Sequence, residues 1–169
     1  MQSHLLVKQL HFARSEFIRC LEGVSEEDAI RRILPMNCIS WMVGHVANQE
    51  HRIWVIWSQH KEVVPGLNDL VGYGKPAITP QLKEMWVVWH KVTAEADKYL
   101  ATLTPEIMQY FLQREGKPLE ENIGTLLMRN IYHYWYHTGE ASAVRQMLGH
   151  AKVPEFVGDM SAAAYEPEK

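Results

Sequence analysis

Apolar positions along this chain recur at helical rather than strand spacing, and they gather into four long segments separated by polar, Gly- and Pro-bearing stretches. The first, residues 3–21, starts at Ser3 and carries Leu6, Leu10, Phe17 and Leu21, with Gly23 just beyond as a stop. Ser25, followed by Glu26, Glu27 and Asp28, reads as a capped single turn leading into Ala29 and Ile30, because a hydroxyl accepts from free amides and acids suit a helix start. The second segment, residues 38–59, carries Trp41, Val43, Val46, Ile53, Trp54 and Trp57 on more than one face, which predicts a central position.

Residues 61–78 hold Pro65, Gly66, Asn68, Asp69, Gly72, Gly74 and Pro76; no periodic element survives there, and a long connection is predicted. Thr79 and Pro80 make a good cap and first-turn pair for a third helix with Leu82, Met85, Trp86, Trp89, Val92 and Leu100. Thr104-Pro105-Glu106 opens another short turn, and residues 110–119 predict a small extended excursion. The fourth helix runs from Ile123 to Leu148, with Arg145 in its last turns and Gly149 as terminator. The expected fold is all-α: a four-helix bundle with a long crossover between its second and third helices, filling residues 1–155. Residues 156–169 form a tail expected to be poorly ordered from Ser161 onward.

At 169 residues the chain suits one domain, and 47% apolar residues supply a substantial core. A net charge of −3 leaves no basic footprint, which argues against a nucleic-acid partner. The richest apolar stretch, residues 39–57, is broken by His45, Asn48, Gln49, Glu50, His51 and Arg52, so no membrane span is expected. The N-terminus has no secretory pattern, and Cys20 and Cys38 form no framework. A soluble cytoplasmic protein follows as the expectation.

The chemistry concentrates in His133-Tyr134-Trp135-Tyr136-His137. Histidines four apart on a helix lean the same way and can offer two imidazole nitrogens to one ion. The same spacing also arises when two histidines are merely packed and hydrogen-bonded. A third ligand is offered by His45, on an apolar helix and preceded by Gly44, which permits close helix approach. His51 competes but points to another side, and His4, His11, His60, His90 and His150 read as surface or packing residues. Glu140 projects from nearly the same face as His133 and His137. It can orient an imidazole, accept a proton, or simply pair with Arg145 at the surface. Asn48 and Gln49 are placed to support His45, and Glu50 to serve as a structural acceptor. A zincin would have glutamate directly after the first histidine; Tyr134 stands there instead, which argues against that peptidase chemistry. Tyr132 and Tyr136 are placed to line a pocket, whereas Trp54, Trp57, Trp86 and Trp89 read as core.

Two blocks carry a resemblance to a known family. Residues 37–47, Asn-Cys-Ile-Ser-Trp-Met-Val-Gly-His-Val-Ala, with Glu50, and residues 133–140, His-Tyr-Trp-Tyr-His-Thr-Gly-Glu, followed by residues 143–149, resemble the DinB-like (DinB/YfiT) superfamily of metal-dependent enzymes. The resemblance implies a four-helix bundle whose second and third helices run parallel, often a homodimer, with His45, His133 and His137 as ligands of a divalent ion such as nickel or zinc. It further implies a small-molecule substrate and, in several branches, transfer to a low-molecular-weight thiol such as mycothiol or bacillithiol; an ion held by three imidazoles can activate either a thiol or water, so group transfer and hydrolysis both stay open. A non-catalytic metal- or ligand-binding bundle is the alternative.

Overall fold

Four long helices form the body of the molecule in a computed structural model that describes residues 4–155 and 157–165. They are α1 (Leu5–Leu21), α3 (Ile39–Glu50, continuing as a π-helix over His51–Trp57), α5 (Leu82–Leu100) and α6 (Ile123–Met147); α2 (Glu26–Ile30) and α4 (Leu67–Val71) are single turns. The chain is therefore all-α, apart from a two-residue hairpin. Ser3, the expected helix start, lies outside the described residues; His4 caps α1 instead, its Nδ1 accepting from the Leu6 amide at 3.2 Å. Helix α1 packs along α6, and α3 packs along α5 and against α6.

The inward faces bring together Leu10, Phe17, Ile39, Met42, Trp54, Leu127 and Tyr134, all fully buried. Each such side chain contributes about 1.5–3 kcal/mol relative to exposure. One polar network crosses this core. The buried Glu50 carboxylate of α3 accepts from Arg14 of α1, Nε at 2.8 Å, and from the Tyr134 hydroxyl of α6 at 2.6 Å. Trp89 of α5 donates in turn to the Tyr134 oxygen at 2.8 Å, so one cluster ties all four long helices together. Burial and then the Glu50 charge push the Tyr134 hydroxyl up, which keeps it a donor. Burial alone would depress Arg14, but the Glu50 charge and hydrogen bond outweigh it and the guanidinium stays charged. The expected acceptor role of Glu50 has this physical form.

Three elements depart from the pattern-based expectation. The 61–78 connection is not devoid of structure: Leu67 and Val71, one helical turn apart and both buried, anchor α4 among its glycines and prolines. Helix α5 does not open on Thr79-Pro80 but at Leu82, because the Glu26 carboxylate of α2 reaches across to accept from the Leu82 and Lys83 amides at 2.9 and 2.8 Å. The segment expected as one α-helix over 38–59 changes to π-helix after Glu50. The expected extended excursion is the hairpin of β1 (Gln113–Arg114) and β2 (Lys117–Pro118), turning on Glu115 and Gly116 at φ 53° and 76°. Within the tail, Met160–Ala163 forms a 3₁₀ turn whose buried Ala163 accepts from Gln9 Nε2 at 3.0 Å. Phe156 and residues 166–169 of that tail lie outside the described residues. No helix among the described residues is long and apolar enough to cross a membrane.

Candidate metal centre

Helix α6 places His133 and His137 one turn apart, and α3 brings His45 against them. The ring centroids lie 4.9 Å (His45–His133), 5.1 Å (His45–His137) and 4.6 Å (His133–His137) apart. One candidate ligand atom from each of the three lies within 4.8 Å of the others. Gly44, beside His45, lets α3 pack closely on α5 and α4 instead: a Cβ there would meet Met85 Sδ at 2.6 Å and Val71 Cγ1 at 3.0 Å.

Each ring is held differently. His45 Nδ1 lies 2.7 Å from the Val71 carbonyl oxygen. A carbonyl only accepts, so Nδ1 carries the proton and Nε2 keeps its lone pair. Trp41 stacks on the same ring at 4.3 Å. His137 Nδ1 lies 2.7 Å from Glu140 Oε2, so it donates there and its Nε2 is the nitrogen turned to the cluster. Glu140 Oε1 accepts from Asn37 Nδ2 at 3.1 Å and from the Asn37 amide at 3.4 Å. Burial, the largest single influence, would raise the Glu140 carboxyl, but the contacts with His137 and the hydrogen bonds from Asn37 together outweigh it and hold the group below its usual range. His133 has the least support: its Nδ1 is buried with no hydrogen-bond partner among the described residues, while its Nε2 meets His137 Nε2 at 3.1 Å. Burial lowers His45 to about 4 and His133 to about 3, so both are neutral at physiological pH.

This donor set fits a divalent cation. Neutral imidazoles with free lone pairs are the form a metal binds. Ligand nitrogens at about 2.0–2.1 Å around a tetrahedral zinc stand about 3.3 Å apart, close to the 3.1 Å between His133 and His137. Two ring nitrogens facing each other need a shared proton or a shared cation between them.

The remaining candidates sort themselves around this cluster. His51 is buried and turned away, its Nε2 accepting from the Val63 and Val64 amides at 3.1 and 3.4 Å. Asn48 Nδ2 donates to Asn68 Oδ1, and Gln49 Oε1 accepts from Asn130 Nδ2; neither has a bond to the histidines. Arg145 does not pair with Glu140; it is buried and donates to the Cys20 and Lys152 carbonyls. Tyr132, Tyr136 and His133 line a cavity of about 430 Å³ beside the cluster. Trp54 and Trp89 are core, as expected; Trp57 and Trp86 pack against it half-buried, and Trp57 also lines a groove. Sequence reading missed Asn37 and the Val71 carbonyl. Asn37 heads the first of the two blocks but was given no role, and a backbone acceptor leaves no signature.

A family model described as mycothiol-S-transferase matches residues 5–149. The chain belongs to the mycothiol-S-transferase family. This family lies within the DinB/YfiT-like superfamily that the two sequence blocks resemble. No curated protein matches the chain. The span shared with the mycothiol-S-transferase model takes in His45, His133, His137 and Glu140, and stops where α6 has ended at Gly149.

Proposed function

We propose that this protein is a metal-dependent thiol S-transferase that joins a low-molecular-weight thiol, mycothiol or a thiol of its class, to an electrophilic small molecule. The observation that carries this reading is the convergence of three imidazoles beside a 430 Å³ cavity, with two of them fixed in orientation by Val71 and Glu140. A divalent ion, zinc or nickel, held by His45, His133 and His137 supplies a Lewis acid that favours the thiolate form of a sulfur ligand at neutral pH. Val71 and Glu140 keep the proton on the far nitrogens of His45 and His137, which leaves the near lone pairs free. Glu140 acts here as a positioning residue, since both of its oxygens already accept hydrogen bonds. Tyr132 and Tyr136 offer exposed rings and hydroxyls where the substrate would lie. The transfer forms a sulfur–carbon bond and breaks a carbon–leaving-group bond, with the thiol proton passing to solvent.

The test uses protein purified without a metal-affinity column, then loaded with zinc or nickel. Mycothiol and other small thiols are offered with a haloarene electrophile, and conjugates are read by mass spectrometry beside elemental analysis. His45→Ala, His133→Ala and His137→Ala each lose the bound ion and the conjugate. Wild type that takes up no divalent ion under metal-replete conditions overturns the proposal. Residence in the cytoplasm belongs to the same reading and is supported by the free, buried Cys20 and Cys38. Homodimer formation also belongs to it, and light scattering tests it.

A further inference from the structure

The π-helical turn after Glu50 has a consequence for what the site binds. Residues five apart on an α-helix point about 140° away from each other. The i→i+5 bonding of a π-helix stacks them instead. Arg52 and Trp57 are related in this way, and the Arg52 guanidinium sits 5.0 Å from the centre of the Trp57 ring. Both residues line a cavity of about 610 Å³ with Arg114 and Lys117 of the hairpin. Gln49, Glu121 and Arg129 line this cavity and also the 430 Å³ cavity that His133 borders, so one groove leads from the histidines to the hairpin.

The charges along the groove are not equally satisfied. Arg129 is paired with Glu121, Nε to Oε2 at 2.7 Å, and Arg114 lies 3.7 Å from Glu115. Glu120 also lines the groove. Arg52 is half-buried and has no carboxylate partner among the described residues; its charged neighbour is Arg114. A partly desolvated guanidinium without a counter-ion is costly, and its fork of donors matches a carboxylate or a phosphate. Arg52 follows His45 by seven residues, about 10 Å along a helix.

We propose that Arg52, stacked on Trp57 and flanked by Arg114, binds the anionic end, carboxylate or phosphate, of a substrate whose reacting end lies at the histidines. This rests on the thiol-transfer reading for the reacting end only, and it selects acidic small molecules over neutral ones.

Calorimetric titrations at fixed ionic strength test it, on zinc-loaded and on metal-stripped protein. The probes are glutathione, a thiol that carries carboxylates, its diethyl ester, in which they are masked, and thiol-free succinate and inorganic phosphate. Wild type binds glutathione about tenfold tighter than the diester, and Arg52→Gln removes most of that difference. Arg52→Lys, which keeps the charge, retains part of it, and Arg31→Gln, distant and exposed, retains all of it. If Arg52→Gln weakens glutathione, the anion rides on the thiol. If it weakens only succinate or phosphate, the anion belongs to the acceptor. The inference is overturned if Arg52→Gln, folded by melting, weakens none of the probes, or if wild type binds none in the millimolar range. Charge discrimination that persists in metal-stripped protein, with no added affinity from zinc, would support the groove while rejecting the metal-thiol reading.

Discussion

The carbonyl oxygen of Val71 lies 2.7 Å from Nδ1 of His45, so a turn inside the connection between α3 and α5 fixes the proton on a candidate ligand. This explains why Gly44 matters. A methyl group there would press on Met85 and on Val71, whose own carbonyl is the acceptor for His45. Gly44→Ala is expected to cost about 1–3 kcal/mol in stability through overpacking. It is also expected to weaken zinc binding about 10–100-fold, the usual loss when a ligand's supporting partner is displaced. Chemical denaturation and competitive zinc titration measure the two effects separately. Unchanged affinity in a destabilised variant would detach the Val71 contact from the metal centre.

Glu140 offers a sharper separation of roles. Replacing it with Ala removes the acceptor from His137 Nδ1 and leaves Asn37 without its partner. Zinc affinity is expected to fall about 10–100-fold, while the transfer rate at saturating zinc falls less. A group that touched the reacting atoms would do the opposite, lowering the rate with the metal fully bound. Steady-state rates at saturating zinc, set beside the affinity, tell the two apart.

Metal linkage provides a test that needs no substrate. An ion that binds only the folded state stabilises it by about 2.7 kcal/mol when present at a hundredfold excess over its dissociation constant. For a chain of this size that raises the melting temperature by roughly 5–10 °C. The His45, His133 and His137 triple alanine variant should show no such rise. Equal zinc-dependent shifts in both proteins would place the binding elsewhere.

The bundle was legible because its apolar spacing is helical throughout, and His133 with His137 because four residues make one turn. His45 stood out through Gly44 before it and the aromatic helix around it. What the sequence hid are the contacts that join distant segments. Glu26 caps α5 across 56 residues of chain, which no local pattern near Thr79 and Pro80 reveals. Helix α4 is one turn whose two apolar anchors are outweighed by the helix breakers around them. The change to π-helix after Glu50 leaves the apolar pattern intact while turning Arg52 and Trp57 to a common side.

The Glu50 cluster should dominate the effect of core substitutions. Glu50→Gln leaves Arg14 buried with less than its charge compensated, at an expected cost of about 3–5 kcal/mol. Replacing Arg14, Glu50 and Tyr134 together by apolar residues of similar volume should cost less than that single change, because no fully buried charge is then stranded: Asp97, which loses Arg14, is half-exposed and keeps His11, and the orphaned Trp89 N–H is uncharged. Denaturation midpoints of the two variants decide the matter, and a triple variant less stable than Glu50→Gln would assign the network a net stabilising role.

Acid should release the C-terminal segment before it unfolds the bundle. The hydrogen bond from Arg19 is the main cause that holds the Glu16 carboxyl below its ordinary value of 4.5, and the Gly158 amide adds to it at 2.9 Å. A carboxyl whose folded pKa is depressed contributes stability that is fully present above its unfolded pKa. That contribution is lost as pH falls through the folded value. As pH drops below about 4.5, Glu16 therefore begins to lose its grip on Gly158, and the C-terminal segment loses one of the three hydrogen bonds that, among the described residues, tie it to α1; those from Gln9 to Ala163 and from Arg19 to the Glu155 carbonyl remain. Amide exchange at Gly158, corrected for intrinsic rates, should accelerate there while Leu10 and Phe17 stay protected. Glu16→Gln should produce the same local acceleration at neutral pH. If Gly158 and the α1 core amides lose protection together in acid, the segment is part of the cooperative unit and the carboxylate is not what holds it.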